Sequence, residues 1–298
     1  MTPAHKHLVA IATYRRPEAL QRLLDSLEKS IDSARADILV VDNDANSSAR
    51  DIVANHSVRP RYVMEREPGI ASARNRALDH FGEEFSAILF VDDDEWVADS
   101  WYDTIVAHAD REAAGVVQGP VITVLPADSP RWIRRGQFFQ RPIQPTGTRL
   151  RSAATNNVLL ARSTWLQAGS PRFDPAFSTT GGSDFDLFWG IGKTGSVMTY
   201  CAEAVVYEDV PLTRMSWPWL RRRYTRIGIG IVNSRRKHGD PLVGFLAITL
   251  AAFVVGSAQL FADVVLGRGP QAVAVERIFK SVGIFTGLLG HRIHEYRR

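Results

Sequence analysis

Four consecutive acids, Asp92, Asp93, Asp94 and Glu95, directly follow the apolar run Ile88-Leu89-Phe90-Val91. Adjacent carboxylates repel one another, and holding them at the end of a buried strand is costly without a counter-charge. A hard divalent cation, Mg2+ or Mn2+, relieves that repulsion and binds through one or two carboxylates together with substrate phosphates. Alternate residues of an extended chain point to one side, so Asp92 and Asp94 share a face. A solvated acidic turn is the competing reading, and the position after a buried strand argues against it.

Two further segments carry chemistry. Gly69-Ile70-Ala71-Ser72-Ala73 precedes Arg74 and Asn75. Small residues at a helix start let a ligand approach the backbone, and helix N-termini favour anions. Gly181-Gly182-Ser183-Asp184-Phe185-Asp186 is a second acidic centre. A carboxylate there can take a proton as general base, or it can simply cap the helix. Gly192-Lys193-Thr194 is the tail of a phosphate loop without its upstream glycine, since Leu187 stands at that position, and it reads as a turn. The eight histidines form no close metal-ligand pair, and no Gly-X-Ser-X-Gly elbow is present. The one cysteine, Cys201, excludes an intrachain disulfide and a cysteine metal cluster.

The elements that must position these residues alternate. Apolar runs at Leu8–Ala12, Ile38–Val41, Arg61–Met64 and Ala87–Val91 read as strands. Glu18–Ser30, Ser48–Asn55 and Gly69–Phe81 read as the helices between them, the first with Pro17 at its start. Continuous apolar strands alternating with helices predict an α/β fold with a mainly parallel sheet covered on both faces. Ligands bind beyond the carboxyl ends of such strands. Three polar clusters fall there: Thr13–Arg16, Asp42–Asp44 and Asp92–Glu95. One convergent site is therefore expected. Further along, Val116–Val124 reads as one strand, Pro126–Gly147 as an irregular excursion, and Asn157–Ala161 as another strand.

The C-terminal part differs in composition. From Pro211 to Gly239 there are eight Arg or Lys and no acid, and from Arg131 to Arg151 six Arg and no acid. Such stretches suit phosphates or lipid head groups. Nucleic acid is not expected as a partner, because no recognition motif accompanies them. Leu242–Ala262 is 21 residues without a charge before Asp263, long enough for a membrane span. Positive charge on both flanks argues against a single crossing. A re-entrant or interfacial hairpin, with Val275–Leu289 as second arm, is expected, and a buried helix pair serving an oligomer is the alternative. The N-terminus shows no apolar signal core.

Ala12-Thr13-Tyr14-Arg15-Arg16-Pro17, Val40-Val41-Asp42-Asn43-Asp44, Gly69 to Asn75, Phe90 to Glu95 and Gly181 to Asp186 together resemble family 2 glycosyltransferases of the GT-A (Rossmann-like) fold, over roughly residues 7–212. The VDDDE form and Val206-Tyr207-Glu208-Asp209-Val210-Pro211 resemble the bacterial exopolysaccharide, succinoglycan-type branch. The resemblance implies a catalytic domain over 1–212, and the basic and apolar composition beyond it marks 213–298 as a helical, membrane-associating region. It implies a nucleotide-diphosphate sugar donor lined by Thr13, Tyr14, Arg15, Asp42, Asn43, Arg74, Asp92 and Asp93, and Mn2+ or Mg2+ on Asp94. It further implies Asp184 as the base in an inverting transfer to a saccharide; the basic and apolar segments side by side point to a lipid-linked saccharide at the cytoplasmic face of the membrane. The chain departs from the family pattern at three places. Asn43 replaces the second acid of the early pair, Ser183 replaces the glutamate before the catalytic aspartate, and Glu208 stands for the late histidine as a second metal ligand. A sugar nucleotidyltransferase would need a glycine-rich phosphate loop near the N-terminus, and Leu8–Pro17 contains no glycine. A non-catalytic, membrane-anchored nucleotide-sugar-binding module is the third reading, and Ser183 is its motivation.

Overall fold

The computed structural model describes residues 6–177 and 181–290. In chain order the first elements are β1 (Lys6–Thr13), α1 (Pro17–Ser30), β2 (Ala36–Asp42), α2 (Arg50–Asn55), β3 (Arg61–Met64), α3 (Ile70–Asp79) and β4 (Phe85–Asp92). There follow β5 (Glu95–Val97), α4 (Trp101–Glu112), β6 (Val116–Gln118), β7 (Val121–Val124), α5 (Arg131–Gly136), β8 (Val158–Ala161) and α6 (Arg162–Gln167). The last are α7 (Ser183–Lys193), β9 (Met198–Tyr200), β10 (Val206–Asp209), α8 (Trp217–Lys237), α9 (Val243–Val265) and α10 (Ala272–Leu288).

The main sheet has the order β3-β2-β1-β4-β8-β6-β9. β1 runs parallel to β2 and β4, β2 parallel to β3, and β8 antiparallel to both β4 and β6. The expected mixed, mainly parallel sheet is therefore present. Successive residues of its central strands feed opposite cores, as period two demands. Val9, Ile11, Leu89 and Val91 pack with Leu20, Leu23, Leu24 and Leu27 of α1 and with Trp101 and Ile105 of α4. Leu8, Ala10, Ile88 and Phe90 pack with Ala73, Ala77 and Leu78 of α3 and with Phe188 and Ile191 of α7. Helices thus cover both faces.

One strand divides. Val116–Val124 is two strands, β6 in the main sheet and β7 in a three-stranded sheet of order β5-β10-β7. Pro120 lies at the break and has no amide proton to continue a ladder. The Asn157 amide holds the break by donating to the Pro120 carbonyl at 2.8 Å. Asn157 does this from a left-handed backbone, φ 141°.

The chain forms two compact units. The first comprises Met1–Ile122, Arg141–Ser178 and Leu187–Glu208, and the second Thr123–Gln140, Thr179–Asp186 and Asp209–Arg298. The second therefore takes in two internal segments that a boundary at 212/213 leaves with the first. Its core gathers Ile133, Phe138, Phe139, Val210, Leu220, Tyr224 and Val275. α8 and α10 cross closely because Gly228 and Gly283 carry no side chain: a Cβ on Gly283 would run into the Thr225 carbonyl. α9 packs on α10, where Ser281 Oγ donates to the Thr249 carbonyl at 3.1 Å. α9 and α10 form a helix pair at the place of the expected hairpin, and α8, within the region expected to be helical, packs on α10 as a third member.

Candidate active site

Register puts the three polar strand ends side by side. Thr13 pairs with Asp42, and Ala12 pairs with both Val41 and Asp92. Beyond those ends the chain leaves the sheet, and its polar side chains organise the loops.

The four acids have different surroundings. Asp92 and Asp94 are partly exposed, while Asp93 and Glu95 are buried. Asp93 is gripped from β1: Thr13 Oγ1 donates to its Oδ2 at 2.8 Å, the Tyr14 amide to the same oxygen at 3.3 Å, and Arg16 to Oδ1 at 2.9 Å. Burial pushes the Asp93 carboxyl up to about 6, against the pull of Arg16. The Arg16 guanidinium also donates to Asp94 Oδ2 at 2.8 Å, so one arginine spans two neighbouring acids. This answers the repulsion within the run from inside the protein. Asp92 accepts from the buried Arg74 of α3 at 2.9 Å. Glu95 accepts from the Asp92 amide at 2.8 Å. Burial first, then the Asp92 charge, pushes Glu95 well above the carboxylate range. Burial beside neighbouring carboxylates disfavours the charged form of such a group.

Glu208 of β10 lies directly opposite Glu95 of β5 in an antiparallel pair. A residue more than a hundred positions away thus joins the acidic turn. It pairs with Arg141 at 3.0 Å.

The early polar pair is a loop organiser. Asp42 is fully buried, and it accepts from the amides of Asp44 (2.9 Å) and Ala49 (3.0 Å) and from the Tyr62 hydroxyl (3.0 Å). Asn43 donates to the carbonyls of Glu65 (2.9 Å) and Glu67 (2.7 Å) and accepts from the Gly69 amide (2.8 Å). An aspartate could not make both donations, which is a physical reason for the departure from the family acid. Burial pushes the Asp44 carboxyl up, but the Asn46 amide and Arg15 outweigh it and hold it below its usual range. Tyr14 and Arg15 stand exposed beyond β1, with the guanidinium 4.9 Å from the ring centre.

Asp184 belongs to the second unit. It lies in the first turn of α7, and its Oδ1 accepts from the Phe185 amide at 2.8 Å, so it also serves its own helix end. The preceding Gly181 and Gly182 have φ of 76° and 93°, a backbone that favours glycine.

The first unit therefore brings Thr13, Arg74, Asp92, Asp93, Asp94 and Glu208 into one neighbourhood, and Asp42 and Asn43 support its loops. The sequence reading gave no role to Arg16 or Arg141. Arg16 lies in a quoted motif, whereas the partnership of Arg141 with Glu208 has no local signal at all.

Among the described residues no group of three or more His, Cys, Asp or Glu side chains is arranged to hold a metal ion. Asp94, in the turn before β5, and Glu208, on the β10 strand paired with β5, are hard oxygen donors. That donor set fits a cation that takes one or two carboxylates and completes its shell from phosphates and water.

A model of glycosyl transferase family 2 matches residues 8–166. The chain belongs to this family. It is 33% identical over 294 residues to the succinoglycan biosynthesis protein ExoM of Rhizobium meliloti (strain 1021), covering 95% of this chain and 92% of that protein. The exopolysaccharide-branch resemblance is thereby upheld. Among solved structures it is similar to S. aureus TarS 1-349 in complex with UDP-GlcNAc, with TM-score 0.55 and 14% identity over 96% of this chain and 92% of that one. It is also similar to GalNAc-T7 with UDP, GalNAc and Mn2+, with TM-score 0.56 and 15% identity over 77% of this chain and 48% of that one. Against a longer TarS chain the TM-score is 0.57 at 15% identity, over 76% of this chain, and the match spans 39% of that one. The family 2 glycosyltransferase thus has the GT-A fold, with an apolar C-terminal helix.

Proposed function

We propose that this glycosyltransferase moves a sugar, with inversion, from a nucleotide-diphosphate donor to a hydroxyl of a lipid-linked saccharide in cell-surface polysaccharide synthesis. The carrying observation is the convergence of Thr13, Arg74, Asp92–Asp94 and Glu208 beyond the carboxyl ends of β1 and β4, in a member of glycosyl transferase family 2. ExoM, a succinoglycan biosynthesis protein by name, and the UDP-sugar complexes of TarS support the donor and the polysaccharide setting.

Tyr14 and Arg15 offer an exposed aromatic face and a cation to the nucleotide. Arg74 holds Asp92 and Thr13 holds the neighbouring Asp93, which fixes the start of the acidic turn. A divalent cation, Mn2+ or Mg2+, would be held by Asp94, with Glu208 as second ligand, and would offset charge on the departing diphosphate. GalNAc-T7 with Mn2+ supports the choice of ion. Asp184 takes the acceptor proton as the hydroxyl oxygen attacks the anomeric carbon and the bond to the diphosphate breaks.

α9 supports action at the membrane. Val243, Ile248, Phe261 and Val265 are 86%, 70%, 73% and 66% exposed, while Thr249, Gly256 and Asp263, seven residues apart, are buried. A soluble amphipathic helix has the reverse arrangement. It is the one described helix long and apolar enough to cross a membrane. Arg221–Arg223 of α8 supply cations that an anionic leaflet attracts. These features support a peripheral or re-entrant seat on the cytoplasmic face.

Asp184→Asn tests the base. Transfer, read as UDP release from a panel of UDP-sugars with Mn2+ and bacterial lipid extract, should disappear, while UDP binding by calorimetry persists. Near-normal turnover in this variant removes Asp184 from the role.

A further inference from the structure

Asp186, two residues after Asp184, is 2% exposed. A helix gains little from burying an acid in its first turn, because an exposed one serves its dipole as well. Here three side chains converge on it, two from the last turn of α8 and His238 just after it. Ser234 Oγ donates to Oδ1 at 3.0 Å, and Lys237 Nζ donates to Oδ2 at 2.6 Å. His238 Nε2 lies 3.2 Å from Oδ1 and 3.2 Å from the Asp186 carbonyl. One turn before Ser234, Gly230 faces the Gly181 carbonyl, which would touch a Cβ there at 3.7 Å. Positions 230, 234 and 237 are spaced as one helical face. That face lies along the whole turn from Gly181 to Asp186.

α8 is itself held. Arg236 donates to the carbonyls of Gly287 (3.1 Å) and Leu288 (2.9 Å) at the end of α10. The turn is thus tied, through a buried carboxylate, to the helices next to the apolar α9. A buried acid with an ammonium and two more polar partners tolerates little displacement, because losing one partner leaves charge uncompensated.

We infer that Asp186 and its partners Ser234, Lys237 and His238 are positioning residues for Asp184. They set the rotation of the first turn of α7, so that the base meets the acceptor hydroxyl. The inference rests on the reading of Asp184 as the base. It makes the C-terminal unit part of the catalytic frame rather than an anchor alone.

The test uses full-length Lys237→Met, Lys237→Arg and Ser234→Ala with the UDP-sugar that supports turnover. Misplacing a catalytic group by about 1 Å costs on the order of a hundredfold, so a partial loosening should lower kcat by about tenfold. Donor KM and UDP affinity should stay within about twofold, and Lys237→Arg should restore most of kcat, because it keeps the cation. A purely structural role would instead lower the folded fraction and the melting temperature, with unchanged kcat per folded molecule. That result, wild-type kcat, or a rise in KM alone overturns the inference. If Lys237→Met does not fold, Ser234→Ala removes a single hydrogen bond and carries the same test. Asp184→Asn measured alongside separates the two failures. Turnover there sinks the base itself, whereas its loss with wild-type kcat in the α8 variants sinks only the positioning role.

Discussion

Asn43→Asp is nearly isosteric and isolates one property, the donor capacity of the side chain. The Asn43 amide nitrogen spans two carbonyls, Glu65 and Glu67, at 2.9 and 2.7 Å, and the residue is 6% exposed. The introduced carboxylate keeps the acceptor for the Gly69 amide but turns an anion toward two carbonyl oxygens. Each lost bond costs about 1 kcal/mol net, and turning an anion toward two carbonyl oxygens adds to that, for a total of about 3 kcal/mol. In a domain of this size each kcal/mol moves Tm by roughly 2–4 °C, so a fall of about 6–12 °C is expected. Urea unfolding should show a lower midpoint at unchanged slope. The pH dependence has a definite sign. Facing two carbonyls in a buried place, the introduced acid is favoured in its protonated form, so its folded pKa lies above its unfolded one. The stability is therefore regained at low pH and lost as pH rises through the folded pKa. UDP affinity should fall as well, because Gly69 opens α3, which carries Arg74. A loss under about 0.5 kcal/mol at neutral pH, or one that grows on acidification, refutes the loop-holding role.

Gly283→Ala should destabilise the second unit by about 1–3 kcal/mol or more, since its methyl meets the Thr225 backbone rather than a flexible side chain. Thermal unfolding of that variant at near wild-type temperature would contradict the close α8–α10 crossing. Glu208→Gln should raise the Mn2+ concentration needed for half-maximal transfer several-fold, and an unchanged metal titration excludes Glu208 as ligand. Ile248→Glu with Phe261→Glu should release the protein from vesicles containing about a third anionic lipid, as read by flotation. Undiminished binding would reassign the face of α9 to contacts between copies of the chain.

The strand and helix pattern up to β4 was legible because each element is local: apolar runs of strand length, leucines at helical spacing, a proline at a helix start. So was the acidic turn, since burial by the preceding strand follows from composition. β7 was not legible as a separate strand, because the break at Pro120 is held by Asn157, 37 positions later. The C-terminal region read as helical, but the buried face of α8, formed by Leu220, Tyr224, Gly228, Ile229 and Val232, was not legible among its seven cations.

For the acidic run with which the reading began, the sequence alone determined that four carboxylates must be managed at one strand end, because their adjacency is covalent. Which group manages each was decided only by the tertiary structure. Thr13, Arg16 and Arg74 reach the run from the end of β1, the loop after it and α3, while β10 sets one more acid, Glu208, opposite Glu95, and separation along a chain carries no record of such meetings. The same holds for Asp186 and the α8 residues about fifty positions later. Long-range partners of buried charges are chosen by packing, and packing is a property of the folded whole.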